Sequence, residues 1–316
     1  MKIIEPSVIL LEHPFDPVGI LRNVELCGRV CYKSEGNITS DSYKGFIERI
    51  VKRGHEAVLE HGSLIIRLDN QYLPTWYECL VADASCTGTA LYLVHTRGPS
   101  GRVVSGNFRA WRDALRLCIK GSLCIPEGLY DALDAYSPMF SDLLSQVHTD
   151  KEPVTQLFEG NLKADYEIQA HMHKTLWFTC DRGVSHELVR HRPASFCQES
   201  TRYCNYSKGD FGGEITVIKP CFLQKGTSQY ETWFGACKHA ETAYFDMLTA
   251  DCTPQQARSV LPNSLKTEVA MTATVGEWIH FLRLRCSEAA HPQMREVATL
   301  AKDALLRDLP VMEKWL

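Results

Sequence analysis

Between residues 39 and 52 the apolar side chains fall at Tyr43, Phe46, Ile47, Ile50 and Val51, a spacing of three and four that places them on one face of a helix. Ser40 or Asp41 is available as its cap and Gly54 as its stop. The run SLIIRL at 63–68 predicts a strand, and LYLVHTR, GPSG and RVVSGN across 91–107 predict a hairpin. A helix is expected from Phe108, with Trp111 and Leu115 turned inward.

Residues 119–165 show no sustained period and scatter Pro, Gly and acidic side chains, so they are expected to form an excursion of short helices with no linker between domains. KTLWFTC at 174–180 restores a strand, and Ser185 is a candidate cap for a short helix that ends near an arginine cluster. Further helices are expected over about 231–250 and 253–261, the latter with Pro254 in its first turn and Pro262 at its end. The last spans about 292–309 with Met294, Val297, Ala301, Ala304 and Leu305 inward. Together these elements predict a single α+β domain over 1–316: a mixed sheet with flanking helices and an inserted hairpin and helix excursion.

The 316 residues are 45% hydrophobic and 23% charged, an ordinary composition for a soluble globular chain. A net charge of −4 supplies no broad basic face, so no nucleic-acid partner is expected and any anion must be caught by a local cluster. The apolar start MKIIEPSVILLEH is broken by Glu5, Pro6 and Glu12, and no run approaches the ~18 apolar residues of a membrane helix. A cytoplasmic protein with no membrane partner is expected. The 13 cysteines are odd in number and include no CxxC pair, which favours reduced thiols over disulfides or structural zinc.

Three segments could carry chemistry. HELVRH at 186–191 resembles a zinc-protease motif, but its histidines are five apart, roughly 140° around a helix, so they cannot share one face. His171 and His173 could hold a metal with Cys180, yet satisfied histidines are far commoner and no metal is expected. The third segment, RHRPASFCQESTRY at 190–203, interleaves Pro193, Ala194, Phe196 and Tyr203 with polar groups. Arginine supplies its cations, which suits planar, two-point recognition of phosphate or carboxylate.

Arg190, His191 and Arg192, followed after seven residues by Ser200, resemble the defining motif of the flavin-dependent thymidylate synthases. The segments GRVCY (28–32), GHEAVLEH (54–61), CDRGVSHELV (180–189), ARSVLP (257–262) and HFLRLR (280–285) extend the resemblance over most of the chain except about 119–165. It implies that family's fold, a homotetramer with shared sites, and reductive methylation of dUMP to dTMP. Methylenetetrahydrofolate would be the carbon donor, FAD the hydride carrier and NADPH the reductant.

Position by position, the resemblance makes Arg285 the residue that activates the pyrimidine. It places His55, Glu60, Arg190, His191, Arg192, Gln198 and His280 beside the cofactor. The nucleotide would meet Glu187, Arg190, Gln198, Glu199, Ser200, Thr201, Arg202, Arg258 and Arg285. Cys197 and Cys204 are read as packing residues, and Ser200 as a ligand, since no His and Asp stand at a spacing that would activate it. The chain departs from the family at Thr274, Val275 and Gly276, where Asn-x-Arg is common, at Glu187, where Gln is common, and at Ala57. These departures keep two alternatives open: another pyrimidine-nucleotide methylase or hydroxymethylase on the same scaffold, and a non-catalytic nucleotide-binding relative.

Overall fold

In the computed structural model the described residues are 1–12, 16–68, 76–81, 93–98, 101–151, 153–202, 204–207 and 212–316. The chain opens with strands β1 (Lys2–Ile4) and β2 (Ser7–Leu10), then helices α1 (Pro17–Val30) and α2 (Ser42–Lys52). Asp16 caps α1 by accepting from the Gly19 amide at 2.9 Å. α2 starts at Ser42, one residue before the first apolar position of the pattern, and the Ser42 hydroxyl accepts from the Thr39 amide at 2.9 Å just ahead of it. Neither Ser40 nor Asp41 caps it through a side chain. Tyr43, Phe46, Ile47 and Ile50 are buried as expected, and Gly54 ends the helix region at φ +69°, where a Cβ would be strained.

A 3-10 segment, Glu56–His61, leads into β3 (Ser63–Leu68), and residues 76–81 form helix α3. The expected hairpin is β4 (Val94–Gly98) with β5 (Gly101–Asn107); Leu91, Tyr92 and the turn residues Pro99 and Ser100 lie outside the described residues. α4 (Phe108–Gly121) follows with Trp111 and Leu115 buried. The next stretch holds the expected short helices, α5 (Glu127–Asp134) and α6 (Ser141–Leu144), flanked by β6 (Cys124–Pro126) and β7 (His148–Asp150). It is more than an excursion: β8 (Val154–Leu157) pairs with β3, and Leu129, Leu133 and Phe140 enter the main core. Elements of three or four residues are too short to display a period, which is why the pattern did not reveal them.

The second half runs α7 (Asp165–His171), β9 (His173–Asp181), α8 (Arg182–Leu188), β10 (Ser195–Gln198), β11 (Thr216–Ile218), α9 (Ser228–Thr249) and α10 (Pro254–Ala257). It closes with β12 (Lys266–Thr274), α11 (Val275–Arg285) and α12 (Pro292–Asp308). Ser185 does not cap α8. Asp181 does, accepting from the Val184 amide at 2.8 Å, and Ser185 lies one turn inside. The helix expected over 253–261 is a four-residue α10 followed by a 3-10 turn, Arg258–Val260, since no intrahelical partners remain before Pro262. α12 buries Met294, Val297, Ala301, Ala304 and Leu305 as expected.

Two antiparallel four-stranded sheets organise these elements, in the orders β10-β12-β9-β2 and β4-β5-β3-β8, with two small parallel pairs, β1-β11 and β6-β7. The architecture is α+β. Helices α11 and α12 cover the first sheet through Trp278, Phe281, Met294 and Ala298, whereas α1, α2 and α4 pack with the second. The 3-10 segment joins the two sheets: His61 Nδ1 meets Thr272 Oγ1 of β12 at 2.8 Å, and Thr272 meets Thr175 of β9 at 2.7 Å.

Candidate functional site

Strand β10 places the arginine-rich segment between two groups of polar side chains. Upstream of it, α8 ends at Leu188 and the chain turns through Arg190, His191 and Arg192, bringing them beside the C-terminus of α11. There Arg285 donates from Nε to His191 Nε2 at 2.9 Å, from Nη1 to Glu187 Oε2 at 2.8 Å and from Nη2 to the Glu187 carbonyl at 3.4 Å. His280, one turn earlier on α11, faces the His191 ring edge-on with centroids 6.5 Å apart.

The electrostatics follow from this packing. Burial, then the Arg285 charge and His280, push His191 down to about 4, so its ring is neutral near pH 7. A guanidinium has no acceptor atom, so His191 Nε2 must carry the lone pair and Nδ1 the proton. Arg190, Arg192 and His280 remain exposed, and neither arginine forms an ion pair among the described residues.

Gln198 ends β10 and points back to α8: its amide donates to Ser185 Oγ at 2.8 Å and to Thr267 Oγ1 at 3.3 Å. Beyond the strand, the Ser200 amide bonds the Cys31 carbonyl at 3.2 Å, and the Ser200 hydroxyl accepts from the Arg202 amide at 3.3 Å. Arg202 Nε reaches Gln255 at 3.3 Å and Arg258 Nη1 reaches Thr201 Oγ1 at 3.4 Å, both from exposed guanidinium groups. Ser200, Thr201, Arg202 and Arg258 are thus gathered into one cationic, hydroxyl-bearing corner suited to an anion.

The structure does not bring the Glu199 side chain to that corner. Glu199 is buried, its carboxylate bonded to Lys266 at 2.9 Å and its amide to the Glu268 carbonyl at 2.8 Å. Glu268 in turn holds Lys266, and also Lys33 in a short ion pair. Although burial opposes its charge, these two ammonium groups keep the Glu268 carboxyl below its ordinary value. This ladder supports the segment from behind.

Glu60 reaches the same segment from the 3-10 turn, accepting from Ser195 Oγ at 3.0 Å and from Arg109 at 2.7 Å. His55 lies at the exposed start of that turn, 3.5 Å from the Tyr32 hydroxyl. Sequence reading missed Ser185, Thr267, Lys266, Lys33 and Arg109. They come from distant elements, and no spacing along the chain marks them.

The other candidate motifs dissolve. His186 is exposed on α8 whereas His191 is buried beyond its end. His171 is not a strand neighbour of His173: it closes α7 and is bonded by Thr96 at 2.8 Å and Ser105 at 2.7 Å. No group of His, Cys, Asp or Glu able to hold a metal occurs among the described residues. Cys197 and Cys204 are both buried, as packing residues would be.

The departures have a physical footing. Thr274 caps α11 by accepting from the Glu277 amide, and a Cβ at Gly276 would stand 3.1 Å from the Gln169 carbonyl oxygen. A side chain at 276 therefore starts from a tight contact with the α7 backbone.

Comparison with known proteins places these features in context. The flavin-dependent thymidylate synthase of Thermococcus onnurineus is 34% identical over 135 residues, 41% of this chain and 54% of that protein. The chain thus spans about half the length of the curated relatives it matches. Among solved structures, the flavin-dependent thymidylate synthase of Helicobacter pylori complexed with FAD and dUMP has a TM-score of 0.35 at 23% identity, covering 43% of this chain and 69% of that one. A UMP/dUMP methylase from Streptomyces cacaoi bound with 5-Br UMP has a TM-score of 0.42 at 15% identity, covering 100% of this chain and 95% of that one. The profile of the family described as thymidylate synthase complementing protein matches residues 142–311, more than half of the chain and the whole of the RHR to Arg285 region, and the chain belongs to that family.

Proposed function

We propose that the protein is a flavin-dependent thymidylate synthase, converting dUMP to dTMP with methylenetetrahydrofolate as carbon donor and NADPH as reductant. The observation that carries this reading is the junction of Arg285 with His191 and Glu187, which unites the final helix, the RHR turn and the helix before it. FAD, when bound, would carry the hydride that completes the methyl group.

The residues present fit such a cofactor. Arg190 and Arg192 are exposed cations without carboxylate partners among the described residues, His280 is exposed beside them, and neutral His191 keeps an Nδ1 proton to donate. Glu60 is positioned by Ser195 and Arg109 at the edge of the same turn, with His55 at the start of its segment.

The nucleotide would lie between the two polar groups. Arg202, Arg258, Ser200 and Thr201 would supply donors to its phosphate from separate elements, and Gln198, held by Ser185 and Thr267, would meet the base. Uracil C5 is a weak nucleophile until negative charge is drawn toward O2 and N3. The Arg285 guanidinium is the cation available to stabilise that charge, and a positioned cation acts most strongly where water is excluded. A homotetramer and a cytoplasmic location belong to the same reading; no described helix is long and apolar enough to cross a membrane.

A second reading rests on Glu187. A carboxylate paired with Arg285 offers an acceptor beside a donor, an arrangement that also complements the N4 amino group and N3 of cytosine. The deciding experiment is anaerobic turnover with FAD, NADPH and methylenetetrahydrofolate, with dUMP and dCMP compared by chromatography. Flavin-dependent dTMP is the expected product. A methylated or hydroxymethylated cytosine nucleotide in its place would establish the second reading, and a folded protein that binds nucleotide but never turns yellow with FAD would identify a non-catalytic relative.

A further inference from the structure

Ser185 stands at the middle of α8, fully buried, and its hydroxyl donates to the Arg182 carbonyl at 2.9 Å. A carbonyl only accepts and a serine hydroxyl carries one proton, so the Ser185 oxygen has lone pairs alone to offer Gln198. The Gln198 side-chain atom 2.8 Å away is therefore the amide nitrogen. The amide is oriented by its neighbours.

Thr267 reinforces that orientation from β12. It precedes Val269, the residue paired with Gln198 across β10 and β12, by one alternation of the strand, so both side chains share a face of the sheet. Its hydroxyl oxygen takes an amide N–H of Gln198 at 3.3 Å, and the Thr267 side chain is itself buried. Both amide hydrogens are thus engaged within the protein. Gln198 is half-buried, and its Oε1 receives no donor among the described residues. This side chain offers a ligand an acceptor and no donor. Turning the amide over would set its oxygen against the Ser185 lone pairs, leaving buried acceptors face to face.

We propose, on the reading that Gln198 meets the base, that Ser185 is a positioning residue which sets pyrimidine specificity by fixing the polarity of the Gln198 amide. The fixed Oε1 accepts from the N3–H of uracil. At the same place cytosine presents the N3 lone pair, so two acceptors meet with no proton between them. Ser185 touches no ligand and acts through Gln198 alone.

Titration calorimetry on the intact chain with dUMP, dCMP and N3-methyl-dUMP, comparing wild type with Ser185→Ala, tests this role. Without the Ser185 oxygen the amide is free to turn. Binding of dUMP should then weaken roughly threefold to tenfold, the range of one lost hydrogen bond, whereas dCMP should bind as well as before or better and N3-methyl-dUMP should not change. The same Ser185→Ala change in a Gln198→Ala background should leave dUMP affinity unmoved, which a mere loss of packing under α8 would not do. Uniform weakening of all three nucleotides, or an effect that persists in the Gln198→Ala background, would reduce Ser185 to a structural role and overturn the proposal. The Gln198 amide also reports without any nucleotide: by NMR its side-chain N–H protons should exchange roughly tenfold faster in Ser185→Ala than in wild type, and equal rates would show that the amide is not held. Failure of both pyrimidine nucleotides to bind a protein whose Gln198 protons are protected would overturn the nucleotide reading, and the selection with it, while leaving the held amide established.

Discussion

Arg285 donates its Nε proton to Nε2 of His191 at 2.9 Å, which assigns the tautomer of the central histidine in the RHR turn. The pair also ties the last turn of α11 to the loop that precedes β10, residues 94 positions apart in sequence. Glu187 closes the other side of the same guanidinium. Three of the arginine's donors are thereby engaged by the protein, and the rest remain for a ligand.

Replacing Arg285 tests its assigned role. Arg285→Ala should lower turnover by roughly 10²- to 10³-fold, the loss typical of removing one preorganised donor to developing charge. Flavin absorbance should be retained. Single-turnover kinetics with flavin-loaded protein measures the chemical step directly, and near-normal rates would remove Arg285 from the chemistry.

Glu187 should restrain Arg285 rather than assist it. Glu187→Gln keeps a hydrogen-bond acceptor in place and removes the opposing charge. A partly exposed ion pair is worth about 1 kcal/mol at most, so dUMP affinity should rise roughly threefold to fivefold. Titration calorimetry reads the change, and a weakened affinity would show that the carboxylate itself contacts the nucleotide.

Acid should unfold the protein through its core histidines. Burial pushes His61, His171 and His173 down to about 4, whereas an unfolded histidine titrates near 6.5. Above pH 6.5 neither state holds the proton. Between 6.5 and 4 the unfolded chain takes up protons that the folded chain refuses, so stability falls as pH falls, by up to ~1.4 kcal/mol per pH unit for each such histidine. Urea unfolding at pH 7, 5.5 and 4.5 should show this slope, and His171→Gln should flatten it.

Arg112 anchors the stretch after α4. Its side chain is 2% exposed and bonds Glu56 at 3.1 Å, both oxygens of Asp142 at 2.6 and 2.7 Å, and the Met139 carbonyl. Arg112→Met leaves half-exposed Asp142 without its cation, Glu56 with Arg116 alone and the Met139 carbonyl without its donor, and should cost ~1–3 kcal/mol. Denaturant midpoints compared at constant slope measure it.

Placing an arginine at 276 should not improve the site. The Gln169 carbonyl stands 3.1 Å from where a Cβ would be, so Gly276→Arg should destabilise by ~1–3 kcal/mol through overpacking. Thermal unfolding and a flavin titration on the same variant separate stability from binding. A tighter flavin with unchanged stability would show that the helix terminus yields.

Much of this molecule was legible along the chain, for a simple reason. Continuous apolar runs and three-and-four spacings are local, so β3, the β4 and β5 hairpin, α4, β9 and α12 could be located from their own residues. The RHR to Ser200 spacing is local as well, and it marked the segment on which the candidate site is built. What the chain order could not express is which distant groups complete that segment. Asp181, not Ser185, caps α8 because the cap must stand just outside the first turn, and this frees the Ser185 hydroxyl to accept from Gln198. Glu199 faces Lys266, away from the anion corner, because alternation along β10 and its continuation turns that side chain inward. The meeting of Arg285 with His191 and Glu187 depends on where α11 lands after β12 has paired with both β9 and β10. Residue type and local spacing marked the candidate chemistry; long-range strand pairing and core burial decided which charges face one another, since only those interactions join residues far apart in the chain.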